Sequence, residues 1–198
     1  MKTETDVSYK ARLEAIKAAR DPASDLHELE ALLLQWLGDG EIEALIASNL
    51  YNKCQFKPSY GQEPLVVRMI EKLADSSEPS CRWSVAKNSC TPPHVLEKLS
   101  QDRVVIVRAL VATNPSTPPS ILTRLFYDEK SVRDGLTGNP ATPAKLLALL
   151  ADDPEEVVRA RVAANPSTPK SALERLAKDP DDRVADTAKK QLGEKNIS

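Results

Sequence analysis

Three cysteines and one of the two histidines are the residues of this chain whose types could do metal chemistry. Cys54, Cys81, Cys90 and His94 make a Cys3His set, the donor combination of many zinc sites, and His94 stands one helical turn after Cys90. Iron–sulfur clusters usually take four thiolates, more than a single copy of this chain offers. The spacings match no standard ligand motif, and there is no C-x-x-C. The competing reading is structural. Cys81 falls where later copies of a recurring phrase carry Val107, Val132 and Val158, and an unligated thiol packs as a small hydrophobe.

Aromatic side chains are the other residues with something to offer. Trp83 shares its place in the phrase with Ala109, Asp134 and Ala160, and Tyr127 shares its place with Gln101, Asp152 and Lys178. Places that tolerate charge read as exposed, and binding energy concentrates on exposed aromatics. Tyr51, Phe56 and Tyr60 lie in a segment, 51–64, that interrupts the phrase. That segment either joins a partner surface or covers Trp83. Catalytic signatures are missing: the six glycines form no phosphate-cradling loop, and there is no H-E-x-x-H or G-x-S-x-G. The expectation is a protein that is not an enzyme and has no cofactor.

What must position these residues is a repeat. Asn88, Asn114, Asn139 and Asn165 follow one another at steps of 26, 25 and 26 residues. Thr-Pro pairs at Thr91, Thr117, Thr142 and Thr168 keep the same steps, as do leucine pairs beginning at Leu96, Leu122, Leu147 and Leu173. Asp102, Asp128, Asp153 and Asp179 form a further column, and Arg82, Arg108, Arg133 and Arg159 precede each Asn by six residues. Fixed periods of this length signal stacked repeats.

Each column has a local reason. Thr-Pro reads as a helix start, with the hydroxyl capping free amides and proline at the first helical position. Leucines three apart share a face of that helix, and the Asp ends it. A second segment, such as "VRALVATN", puts Val107 and Val111 on one face and stops at the Asn, which the following proline holds out of helical geometry. The asparagines are expected to tie down turn backbone. The arginines, five or six residues after an Asp, are expected to pair with that Asp rather than to form a phosphate-binding stripe. Two short antiparallel helices per repeat cannot bury their apolar faces alone, so the expected fold is an all-α solenoid.

The pattern reaches back in degraded form. "EIEALIASN" gives Asn49 the Asn place, and "DPASDLHELEALL" puts Asp21 for Asn and Ser24 for Thr, with about thirteen residues inserted after Asn49. The expected organisation is degenerate repeats over 1–76 with an inserted loop at 51–64, regular repeats over 77–179, and a polar capping unit over 180–198.

The column set V-R-x-x-V-A-x-N-P-x-T-P-x-x-x-L-x-x-L-x-x-D resembles the leucine-rich repeat variant (LRV) family over roughly 77–185, more loosely from 21 to 76. The resemblance implies a right-handed superhelix in which an α-helix alternates with a shorter α or 3-10 helix, and a kinship with HEAT-like solenoids. Some members carry an N-terminal cysteine cluster that binds an iron–sulfur centre.

With 27 basic and 29 acidic side chains, the chain has a net charge of −2; residues 1–80 carry −5 and residues 81–198 carry +3. No global field draws in nucleic acid or an anionic membrane. The N-terminus is polar, and the longest apolar run, "LLALLA", is far too short to span a bilayer. An odd number of cysteines without a secretory signal leads to the expectation of a reducing cytoplasm with free thiols, in a protein of bacterial type. The leading expectation is a non-enzymatic scaffold for a protein or peptide partner, without a membrane partner. The alternatives are a zinc or iron–sulfur protein using Cys54, Cys81 and Cys90, and a nucleic-acid-binding helical repeat.

Overall fold

A computed structural model describes residues 4–195, and side chains from 8 to 193. Among the described residues there are thirteen α-helices, one 3-10 helix and no strand. The chain forms two compact units, 1–107 and 108–198.

In the first unit, α1 (Glu4–Arg20), α3 (Gly40–Phe56) and α5 (Pro79–Lys87) pack in succession as one layer. Helices α2 (Leu26–Gln35) and α4 (Pro64–Leu73) pack against each other as a second layer, and α6 (Pro93–Leu99) packs on α5. Helix α7 (Val105–Thr113) carries the chain across the division between the units. In the second unit α9 (Lys130–Gly138) and α11 (Glu156–Ala164) pack on each other, and α13 (Asp182–Lys195) packs on α11. Helices α8 (Pro119–Leu125), α10 (Ala144–Leu150) and α12 (Lys170–Leu176) supply the shorter partners. Seven-residue helices thus alternate with nine-residue helices through the regular repeats, and both kinds are α. The shorter element is not 3-10.

The columns fill the core as their spacing predicts. Leu96, Leu99, Leu122, Leu125, Leu147, Leu150, Leu173 and Leu176 are all at most 4% exposed, and Val107, Val111, Val158 and Val162 are fully buried. Each such side chain contributes about 1.5–3 kcal/mol of apolar burial, which a lone helix of seven or nine residues has no means to obtain.

Helices do begin two residues after each threonine, but the threonine is not their cap. Pro92, Pro118, Pro143 and Pro169 hold the N-cap positions and make no side-chain bond there. The hydroxyls of Thr91, Thr117, Thr142 and Thr168 instead donate backwards, to the carbonyls of Val85, Val111, Leu136 and Val162 at 2.6–2.8 Å. Each threonine therefore adds a second donor, beside the amide of the column asparagine, to a carbonyl at the C-terminus of the preceding helix. All four are at most 6% exposed. Ser24 does the same for α1, donating to Ala18 O at 2.8 Å.

The asparagines tie turn backbone in two directions. Oδ1 of Asn88, Asn114, Asn139 and Asn165 accepts the amide two residues on, at 2.7–2.9 Å. Nδ2 of Asn139 donates to the carbonyls of Ala112 and Asn114, one repeat earlier. Asn49 repeats this with Ala19 and Asp21, which fixes its place in the register. In α13 Gln191, 26 residues after Asn165, takes over and donates to Asn165 O at 3.3 Å.

The segment after Asn49 is not a loop. Helix α3 runs on to Phe56, and Pro58–Gln62 form the 3-10 helix packed on α3 and α4. Where the repeats of Asn114, Asn139 and Asn165 follow the asparagine with proline and, two residues later, threonine (the Asn88 repeat has Ser89 and Thr91), this segment carries the buried Leu50 and then Asn52. Neither stops α3 there.

Candidate functional site

The arginine and aspartate columns form rungs, but with a different partner from the one the sequence suggests. Arg82, Arg108, Arg133 and Arg159 each reach the aspartate 20 residues later, with Nε to Oδ2 at 2.6–2.7 Å and Nη2 to Oδ1 at 2.7–3.1 Å. The fork is bidentate, the strongest arrangement of these groups. The preceding turn is engaged through its backbone: Nη1 of Arg133 donates to Asp128 O, and Nη1 of Arg159 to Asp153 O. These guanidinium groups clasp the turns on both sides of their helices. The arginine side chains are only 8–17% exposed, and their carboxylate forks are already filled.

The pairing shows in the acidities. Arg108 holds the Asp128 carboxyl below its ordinary value, and Arg159 does so for Asp179. Burial pushes the Asp102 carboxyl up, but Arg82 and the Val104 amide together bring it below the ordinary value.

Of the sequence's metal candidates, the structure brings together two. Cys54 and Cys90 are neighbours, both buried, and Cys90 Sγ lies 3.5 Å from Pro58 O. A Cβ placed on Gly61 would stand 3.3 Å from Cys90 Cα, so the 3-10 helix presses directly on this turn. Cys81 is buried elsewhere, 3.4 Å from Leu73 O, and exposed His94 pairs with Glu71 at 2.8 Å. Among the described residues no group of three or more His, Cys, Asp and Glu is disposed to hold a metal ion. Burial, with the Cys90 thiol adding to it, pushes Cys54 up to about 12, and burial does the same to Cys81. Neither is a ready thiolate at neutral pH.

The aromatic candidates divide. Phe56, the last residue of α3, is 92% exposed, and Tyr127 is 85% exposed with its ring edge-on to Phe126 at 5.1 Å. Trp83, on α5, is 41% exposed, so the inserted segment does not bury it. Its column is nevertheless not an exposed one throughout, because Ala109 is buried and Asp134 only half-exposed. Tyr51 and Tyr60 are half-buried, the first under Lys87 Nζ at 4.7 Å and the second under Lys57 Nζ at 4.5 Å.

One polar position escaped the sequence reading. Six residues before Asn49, where the regular repeats carry arginine, stands Glu43. It is 4% exposed and accepts bonds from Gly38 N at 2.7 Å and from Ser76 Oγ. Counting six back from each asparagine would have found it.

Residues 157–181 match the family model of the leucine rich repeat variant, LRV, and these residues carry one full copy of the columns described above. No curated protein matches the chain. No helix among the described residues is long and apolar enough to cross a membrane.

Proposed function

We propose, for a chain built of leucine rich repeat variant units, that it works as a non-enzymatic scaffold gripping a protein or peptide partner through exposed aromatic side chains. The observation that carries this reading is the exposure of Phe56 and Tyr127, 92% and 85%, in a chain of only 4% aromatic residues. Aromatics of this kind supply large contact area at low entropic cost, and they dominate interface energetics when covered. Trp83 is a third such residue, and the half-buried Tyr51 and Tyr60 belong to the same unit as Phe56 and Trp83.

The rungs support a scaffold in another way. Their arginines, which would otherwise invite phosphate, are committed to carboxylates inside the stack. This weighs against nucleic acid as the ligand. Recognition is then left to the side chains that differ from repeat to repeat.

The test is affinity capture from the source cells with wild type and with Phe56→Ala, Tyr127→Ala and Trp83→Ala. The partner recovered by wild type is expected to be lost or strongly reduced with at least one variant, while the melting temperature of each stays within about 2 °C, as for other surface changes. Equal recovery by all three variants would place the contact surface elsewhere.

A further inference from the structure

The first unit contains one rung of reversed polarity, and that rung opens on a cavity. In regular rungs a guanidinium donates forward to an aspartate and backward to a backbone carbonyl of the preceding turn. At Glu43 both directions are inverted. Its carboxylate accepts from the backbone amide of Gly38, five residues back, and from the hydroxyl of Ser76, which holds the place of the aspartate six residues after Ile70. The Ser76 oxygen in turn accepts the Glu78 amide at 3.2 Å, so its hydroxyl proton is committed to Glu43. Gly38 adopts φ +95°, a left-handed turn conformation suited to glycine, and this aims its amide at the carboxylate.

Both donors are neutral. Among the described residues no lysine, arginine or histidine forms an ion pair with Glu43, although it is 4% exposed. A carboxylate withdrawn from water without a countercharge is costly, and a cation joining it recovers much of that cost. Arg82, which bonds the carbonyls of Ser76 and Ser77, is already forked onto Asp102.

Glu43 lines an open cavity of about 470 Å³, whose walls include Leu37, Lys72 and Asp75. Leu37 is 58% exposed and lends this cavity an aliphatic surface. Asp75 is exposed and tied to Lys98, leaving Lys72 as the cation at the rim. An open cavity lined by both an exposed leucine and a buried carboxylate suits a long side chain with an aliphatic stem and a cationic fork. Each Glu43 oxygen accepts one bond and, as a carboxylate oxygen, has capacity for a second.

We propose that this cavity is an anchor site for one arginine side chain of the bound partner, its guanidinium forking onto Glu43 and its stem lying on Leu37. The inference rests on the scaffold reading above, and it names the chemistry of the partner: a peptide segment with an accessible arginine.

The probe is N-acetylarginine amide, titrated into the full chain and followed by amide NMR, with the neutral isostere N-acetylcitrulline amide as control. Saturable shifts are expected at the amides of Gly38, Ser76 and Ser77 with arginine, and about tenfold weaker binding with citrulline. Glu43→Gln should abolish the difference between the two ligands. Leu37→Ala, which leaves the buried rung intact, should weaken arginine binding by about threefold. It keeps the test decisive if Glu43→Gln fails to fold. Lys72→Gln should strengthen binding by removing a competing charge. Equal shifts with arginine and citrulline, or a loss of arginine binding in Lys72→Gln, would overturn the proposal. Partner capture with the Phe56 and Tyr127 variants reads the scaffold function separately: a negative titration with a partner recovered sinks the arginine anchor alone.

Discussion

At the scale of single residues, each buried threonine of the column spends its hydroxyl on a carbonyl of the helix before it. Thr-Pro before a leucine pair looks the same whether the hydroxyl accepts amides of the next helix or donates to a carbonyl of the last one. The structure chooses the second, because the proline itself occupies the N-cap and turns the threonine back toward the preceding helix. Thr117→Val keeps the shape and removes the hydroxyl donor, leaving the Val111 carbonyl with the Asn114 amide, 3.1 Å away, as its remaining donor. The expected cost is up to about 1.5 kcal/mol, the net worth of one hydrogen bond to a carbonyl that keeps a second. Thr117→Ser keeps the donor and should lose less, because only a methyl group goes. Chemical denaturation of the two variants checks this; a serine variant as unstable as the valine variant would argue that the methyl, not the hydroxyl, matters.

At the scale of elements, helices and their faces were legible in the sequence because the apolar periodicity admits little else. The rungs were legible as columns but not as pairs. Chain proximity favours the aspartate five or six residues back, whereas stacking places the next aspartate, 20 residues on, beside the guanidinium. The inserted segment was illegible for a simpler reason. Its aromatics and prolines suggest a loop, while the sign that α3 continues is an absence: Asn52 stands where all four regular repeats place threonine, and Leu50 where three of them place proline. The rungs carry a pH prediction. Asp128 and Asp179 have folded-state acidities displaced below their unfolded ones, by Arg108 and Arg159 respectively. Their contribution is therefore fully present above the unfolded carboxyl value of about 4 and is lost as pH falls through the lower folded value. Denaturation midpoints should hold steady from neutral pH to about 5 and then decline toward about pH 2. Arg108→Gln together with Arg159→Gln should lower the neutral plateau and flatten the decline. A decline equally steep in the double variant would show that other carboxyls govern acid unfolding.

At the scale of the molecule, nearly every bond that fixes a repeat reaches only its neighbour. Asn139 reaches back to Ala112 and Asn114, Arg133 reaches forward to Asp153, and α10 packs on α9, α11 and α12. Stability in such an array is close to a sum of repeat terms and nearest-neighbour interfaces. Leu147→Ala tests this in the second unit. Leu147 is fully buried in α10, so the truncation should cost about 2–5 kcal/mol, with the spread set by how far its neighbours close the void. A two-state globule would spread that loss evenly over all its slowest amides. Here the effect should be graded: amide exchange should quicken most in α9 to α12, the helices around Leu147, and fall away with distance along the chain. Residues 26–73, which lie in the other compact unit, should keep their wild-type exchange rates. Equal acceleration in α2, α4 and α10 would mean that the chain unfolds as one body, and the additive description would fail.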